Sequence, residues 1–405
     1  MPRTLPPLCL LSVVLLTLAA CRPPEPRPEP AASSPCVANA DEDPADEDDC
    51  AGDTGVRHPP GGLPQLLPTP APAGPPPGAP LRVETVADGL SMPLGLAWTP
   101  DGRKLFFSEV KLGRIRVIVD GVLQTQPFVT LPIVKRGEAG MLGLAVDPDY
   151  STNHFVYAYH SDPETNRNHV LRFEDRGGLA VNQTELLKTV AVSDLNAAHN
   201  AGRLGFGPDG MLYVTVGNGQ NTKAGQDPCK VGGKVLRVAR DGSRPADDPF
   251  SCSAAFALGF RNPFGLAFHP LTGALFVTDN GGHGHDELDL VRREGNYGHS
   301  IVEGAPGDPR FIDPLWESGP VSTGATGLAF YTGDRLAEFK NDLFLCGVHT
   351  GQLSRVRLAG PGFDRVDAMN VEILKEQVDC RLDVANGADG ALYFSNFTTI
   401  GRITR

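Results

Sequence analysis

The sequence contains no C-x-x-C pair, which argues against a cysteine-built zinc site, and no C-x-x-C-H, which leaves no haem-attachment motif. It lacks basic surplus: 36 Lys and Arg face 48 Asp and Glu, a net charge of −12, against nucleic-acid binding and pointing to no particular partner. No long apolar run is present. The stretch within residues 1–21 is too short for a comfortable membrane span and ends in small residues, as an export signal does. From Arg22 to about Pro80 aromatic residues are almost absent, and Pro, Ala, Asp and Glu dominate. Such a segment cannot bury enough apolar surface to offset its ordering entropy, so a disordered tether is expected. Its acidic run, Asp41 to Asp43 and Asp46 to Asp49, lacks the glycine-punctuated spacing of a calcium loop and reads as solvated charge.

Leu18-Ala19-Ala20-Cys21 resembles a bacterial lipobox, in which Cys21 is lipidated; the alternative is ordinary cleavage near Ala20. Either makes this an exported, cell-envelope or periplasmic protein, and lipidation of Cys21 would make a lipid anchor its contact with a membrane. The expected organisation is a signal over 1–21, a linker over 22–80 and one folded unit over 81–405. Six further cysteines in an exported chain suggest disulfides. Fifteen connectivities are open, of which neighbouring pairs are the simplest: Cys36–Cys50, Cys229–Cys252 and Cys346–Cys380.

Past Pro80 one unit repeats. An apolar turn leads into a strand, a Pro/Asp/Gly turn, a second alternating strand, a polar loop and a third strand. The copies open at Gly95, Gly143, Arg203, Gly265, Gly327 and Asp383, spaced by 48 to 62 residues. That spacing predicts an all-β fold, a six-bladed propeller of four-stranded blades. The last copy ends after three strands, while Leu81 to Val86 offers a spare strand to complete it and close the ring, leaving no exposed edge. In such a ring the loops before each first strand and after each second strand share one face. Gly137 to Met141, Ala197 to Gly202, Gly217 to Asn221, Gly259 to Phe264, Asp279 to Glu287, Gly347 to Gly351 and Asp379 to Leu382 would meet there. His199 sits in one of them, just ahead of a Pro208-Asp209-Gly210 hairpin signal.

Five phrases in order, GEAGMLGLAVDPDY (137–150), HNAGRLGFGPDG (199–210), LGFRNPFGLAFHP (258–270), DELDLVRREGNYG (286–298) and TGLAFY (326–331), resemble the pyrroloquinoline-quinone (PQQ) dependent soluble glucose and aldose-sugar dehydrogenases, the glucose/sorbosone dehydrogenase family. The resemblance implies oxidation of an aldose at its C1 hydroxyl to a lactone, with hydride transfer to PQQ. A quinone or cytochrome would be the onward electron acceptor. It implies His199 as general base, a role suited to a neutral imidazole, and Arg261 as electrophilic helper. Glu138, Arg203, Arg261, Asn262, His349 and Arg381 become the cofactor-binding set, and the backbone oxygens of Gly281 and Gly282 hold calcium.

The chain departs from the family's pattern at several of these places. Glu138 stands for glutamine, Ala198 and Asn218 for aspartates, Gly282 for proline, His299 for tryptophan and His349 for lysine. Cys380 and Leu382 stand where paired arginines grip the quinone carboxylates, with Arg381 between them. His283, His285, His299 and His349 gather histidine on the same rim, which raises a transition-metal site as an alternative to calcium. Two other readings remain: a propeller that has lost the cofactor and binds carbohydrate or protein, and a calcium-dependent lactonase.

Overall fold

The computed structural model describes residues 79–371, 374 and 376–405. Cys21, the Cys36–Cys50 pair and the signal and tether expected ahead of residue 79 lie outside them. Among the described residues, no helix is long and apolar enough to cross a membrane.

The described chain is almost entirely β and forms six antiparallel sheets, five of four strands and one with a fifth short strand at Val129–Thr130. The first strands of the blades are Pro93–Trp98, Met141–Val146, Ala201–Phe206, Pro263–Phe268, Ala325–Phe330 and Asp383–Asn386. Each packs against the first strands of its neighbours, and Pro93–Trp98 touches both Met141–Val146 and Asp383–Asn386, so the ring closes. Middle strands such as Leu212–Val216 and Leu343–Gly347 are buried at every position rather than at alternate ones. Neighbouring blades cover both faces of each sheet, and a strand buried on both sides reads as continuous apolar sequence.

The spare strand does what its position suggested. Arg82–Ala87 pairs antiparallel with Ile400–Thr404, Arg82 opposite Thr404 and Ala87 opposite Ile400, so residues from both ends of the unit share blade 6. Disulfides join Cys229 to Cys252 within blade 3, and Cys346 of blade 5 to Cys380 at the entry to blade 6.

At the repeat position where blades 1, 2, 4 and 5 carry Gly95, Gly143, Gly265 and Gly327, strands approach too closely for a side chain. A Cβ on Gly95 would lie 2.6 Å from the Leu144 nitrogen, and one on Gly143 would lie 2.2 Å from the Gly202 oxygen. Blades 3 and 6, opposite each other in the ring, carry Arg203 and Asp383 there instead. Their side chains meet across the axis, Nη1 to Oδ2 at 2.8 Å, with only 8% and 4% of each exposed. Asp383 Oδ2 also accepts the Leu96 backbone N–H at 2.8 Å. This strut divides the channel into two cavities of about 380 and 370 Å³, one at each mouth.

Candidate functional site

The cavity on the loop-rich face draws on all six blades. Its walls are Met92, Leu94, Val110, Leu142, Phe264, Val348 and Leu382; its polar groups include Lys111, Glu138, His199, Arg261, Asn262, Asn280 and His349. Gly281 and Gly282 form part of its rim. At about 380 Å³ it falls within the roughly 300–1,000 Å³ range of small-molecule sites.

His199 is held in a strained loop. Ala197, His199 and Ala201 all have positive φ, at 50°, 61° and 51°, a region that side-chain-bearing residues enter at a cost. Hydrogen bonds from two other blades impose it. Glu138 Oε2 accepts the His199 backbone N–H at 2.8 Å and an Asn262 amide N–H at 3.2 Å. Asn262 Oδ1 accepts the Ala201 N–H at 3.0 Å. Glu138 and Asn262 thus bind the blade 3 loop to blades 2 and 4, besides lining the cavity.

The protonation of the His199 ring follows from its partners. Asn218 Oδ1 accepts the Gln220 backbone N–H at 2.8 Å, which identifies that atom as the oxygen. The same oxygen lies 2.8 Å from His199 Nδ1, which must then carry the proton and donate. The lone pair is left on Nε2. The Asn218 amide nitrogen, in turn, donates to His299 Nε2 at 3.1 Å. Burial first, and then the Arg261 charge, push the His199 pKa below its ordinary value, with Asn218 and Glu138 opposing. Burial lowers His299 to about 4, with Arg261 and His199 adding to the effect.

Arg261 and Asn262 are set by one carboxylate. The two oxygens of buried Asp279 accept their backbone N–H groups at 2.7 and 2.6 Å, and the Arg261 guanidinium donates to the Asn280 carbonyl at 2.8 Å. Desolvation raises Asp279 to about 6 and Glu287 to about 10, the latter also repelled by Asp289 and Asp279. Both oxygens of buried Asp289 lack a partner. Gly281 must be bare, since a Cβ there would lie 1.9 Å from the Gly284 oxygen. Gly282 has the Glu303 carboxylate 2.9 Å from its would-be Cβ.

Of the residues expected from sequence, Glu138, His199, Arg261, Asn262, Gly281, Gly282 and His349 come together at this cavity. Arg203 and Arg381 do not. Arg203 points into the strut and lines the opposite mouth. Arg381 lies in the bend ahead of the strand Asp383–Asn386 and is turned from the cavity, which Leu382 lines instead; its guanidinium bonds Asp379 at 2.8 Å and the Val348 carbonyl at 2.8 Å. The rim histidines do not converge either. His285 pairs with Glu317 at 2.8 Å, and among the described residues no three His, Cys, Asp or Glu side chains are grouped to share a metal ion. Lys111, Asn218 as orienter of the histidine, and the buried acids Asp279 and Asp289 escaped the sequence reading. Lys111 lies in blade 1's counterpart of the loops singled out elsewhere, so the repeat itself carried the signal.

Comparison with known proteins places this geometry. Residues 90–405 match the Glucose / Sorbosone dehydrogenase family. The chain belongs to that family. An aldose sugar dehydrogenase of Escherichia coli is 24% identical over 360 residues, 81% of this chain and 93% of that protein. A glucose dehydrogenase structure from Thermus thermophilus superposes with a TM-score of 0.72 at 35% identity, covering 80% of this chain and all of that one. The PQQ-bound aldose sugar dehydrogenase of Streptomyces coelicolor gives 0.69 at 28%, covering 82% of this chain and 99% of that one. This member of the glucose/sorbosone dehydrogenases therefore shares its propeller with quinoprotein sugar oxidoreductases.

Proposed function

We propose that the protein oxidises the C1 hydroxyl of an aldose to the lactone, with PQQ as hydride acceptor and calcium at the Gly281–Gly282 turn. The observation that carries this reading is the bare Nε2 of His199, held in the same cavity as the Arg261 guanidinium. The cavity's size, its apolar walls and its cations suit a flat anionic cofactor, and the turn offers the backbone oxygens of Gly281, where a side chain could not fit, and of Gly282.

When bound, PQQ supplies the electrophilic carbonyl that takes the hydride. His199 Nε2 accepts the proton of the sugar's C1 hydroxyl, and Asn218 keeps the other ring nitrogen protonated so that only one tautomer is present. Arg261, aimed by Asp279 and the Asn280 carbonyl, places positive charge where negative charge develops. The apolar walls exclude water from the reacting atoms. Export, lipid anchoring through Cys21 and a quinone or cytochrome as onward acceptor complete the proposal.

The test is reconstitution of apo-protein with calcium and PQQ, followed by dye reduction with a panel of aldoses. His199→Ala should lower turnover by about 10²- to 10⁴-fold, the usual contribution of a general base, while PQQ still binds. Turnover equal to wild type would remove His199 from the chemistry. Failure of the wild-type protein to bind PQQ would leave a carbohydrate- or protein-binding propeller.

A further inference from the structure

We propose that Lys111 anchors a carboxylate of the quinone cofactor, at the end of the cavity opposite Arg261. The inference rests on the proposed PQQ reading and adds how the chain holds the group. Lys111 belongs to blade 1 and Arg261 to blade 4, which face each other across a six-membered ring, so the cavity carries fixed positive charge on two opposing walls. The two cations are differently engaged. Arg261 is bound to the Asn280 carbonyl beside the glycine turn, next to His199. The Lys111 ammonium donates to the carbonyls of Gly137 and, at 2.8 Å, Ala139. An ammonium has three N–H groups, so one is left for a ligand.

Among the described residues no carboxylate lies within salt-bridge reach of Lys111, and Glu138, whose charge favours the ammonium from nearby, only partly offsets its burial. Glu138, between the two carbonyls it grips, spends a carboxylate oxygen on the His199 backbone and the Asn262 amide. Met92, Leu94, Val110 and Leu142 make the adjoining wall apolar. A half-buried ammonium against such a wall is costly unless an anion reaches it. The neighbouring blade 6 contributes Leu382 to the cavity and turns Arg381 toward Asp379, so it supplies no cation there. Lys111 is the charge available on that side. A planar polycarboxylate with its carboxylate-bearing edge at Lys111 would set its carbonyl-bearing edge toward Arg261 and His199.

The experiment is equilibrium binding, read by quenching of intrinsic fluorescence, of PQQ and of its trimethyl ester to calcium-loaded wild type, Lys111→Met and Lys111→Arg. Circular dichroism and thermal melting verify that each variant is folded. A lost charge-assisted contact predicts PQQ affinity about ten- to a hundredfold weaker in Lys111→Met, with Lys111→Arg recovering most of it. The ester, which has no anionic carboxylate, should bind wild type and Lys111→Met alike, and added salt should weaken PQQ binding more in wild type than in Lys111→Met. Equal PQQ affinity in wild type and Lys111→Met, or an equal loss for acid and ester, would overturn the assignment while leaving PQQ dependence standing. No binding to wild type would overturn both.

Discussion

At the scale of single residues, the site turns on which atom of His199 is bare, and a neutral amide decides it. Asn218 accepts from Nδ1–H as a carboxylate would, yet it carries no charge to stabilise an imidazolium. Burial and Arg261 push the same way and outweigh Asn218 and Glu138, so the pKa of the ring lies below its ordinary 6.5. The acid limb of kcat/KM should therefore lie below that value. Asn218→Asp should move it upward, because a carboxylate beside Nδ1–H favours the charged ring. An unmoved limb in the pH profile would separate Asn218 from the base. Much of this shell was legible beforehand, because Glu138, Arg261 and Asn262 fall in loops that the repeat brings to one face. What was not legible follows from side-chain direction. Arg381 and Leu382 are adjacent in the bend before Asp383–Asn386, where no period tells which of the two faces the axis; Asp379 and the Val348 carbonyl hold the arginine aside, and the leucine faces the cavity. Arg203 occupies a glycine position of the repeat and reaches across the axis to Asp383 rather than into the loop-side cavity.

Among the elements, the strand Arg82–Ala87 carries weight beyond its length, because it is the outer strand of blade 6 and ties the start of the unit to its last hairpin, beside the Leu90–Thr398, Met92–Phe397 and Leu96–Asp383 bonds. Deleting residues through Ala87 would leave Ile400–Thr404 as an unpaired edge, with its N–H and C=O groups open to water or to another chain. The expected result is a lowered melting temperature and concentration-dependent aggregation. A truncated protein melting like the full chain would show that blade 6 stands without it. This element was readable from sequence by counting: the sixth copy is one strand short and the segment before the first copy is spare. The short strands Val122–Leu123 and Trp316–Glu317 were not so readable, since two-residue edge strands carry no periodic signal.

For the whole molecule, the Arg203–Asp383 strut joins opposite blades through a buried pair. Removing one partner strands the other charge in the interior, which typically costs about 3–5 kcal/mol, whereas replacing both by apolar residues is far less damaging. Asp383→Ala should therefore unfold at distinctly lower denaturant than wild type, and Arg203→Leu with Asp383→Leu should recover much of the loss. Denaturation curves showing the double variant as weak as the single one would assign the effect to packing instead. The blade 6 pairing has a practical corollary. Arg82 and Thr404 lie together where the first strands end, away from the loops that form the His199 cavity. Tags, linkers or an electrode surface joined upstream of Arg82 or beyond Arg405 would depart from the side of the ring away from that cavity, leaving its mouth open to the proposed substrate when the protein is immobilised.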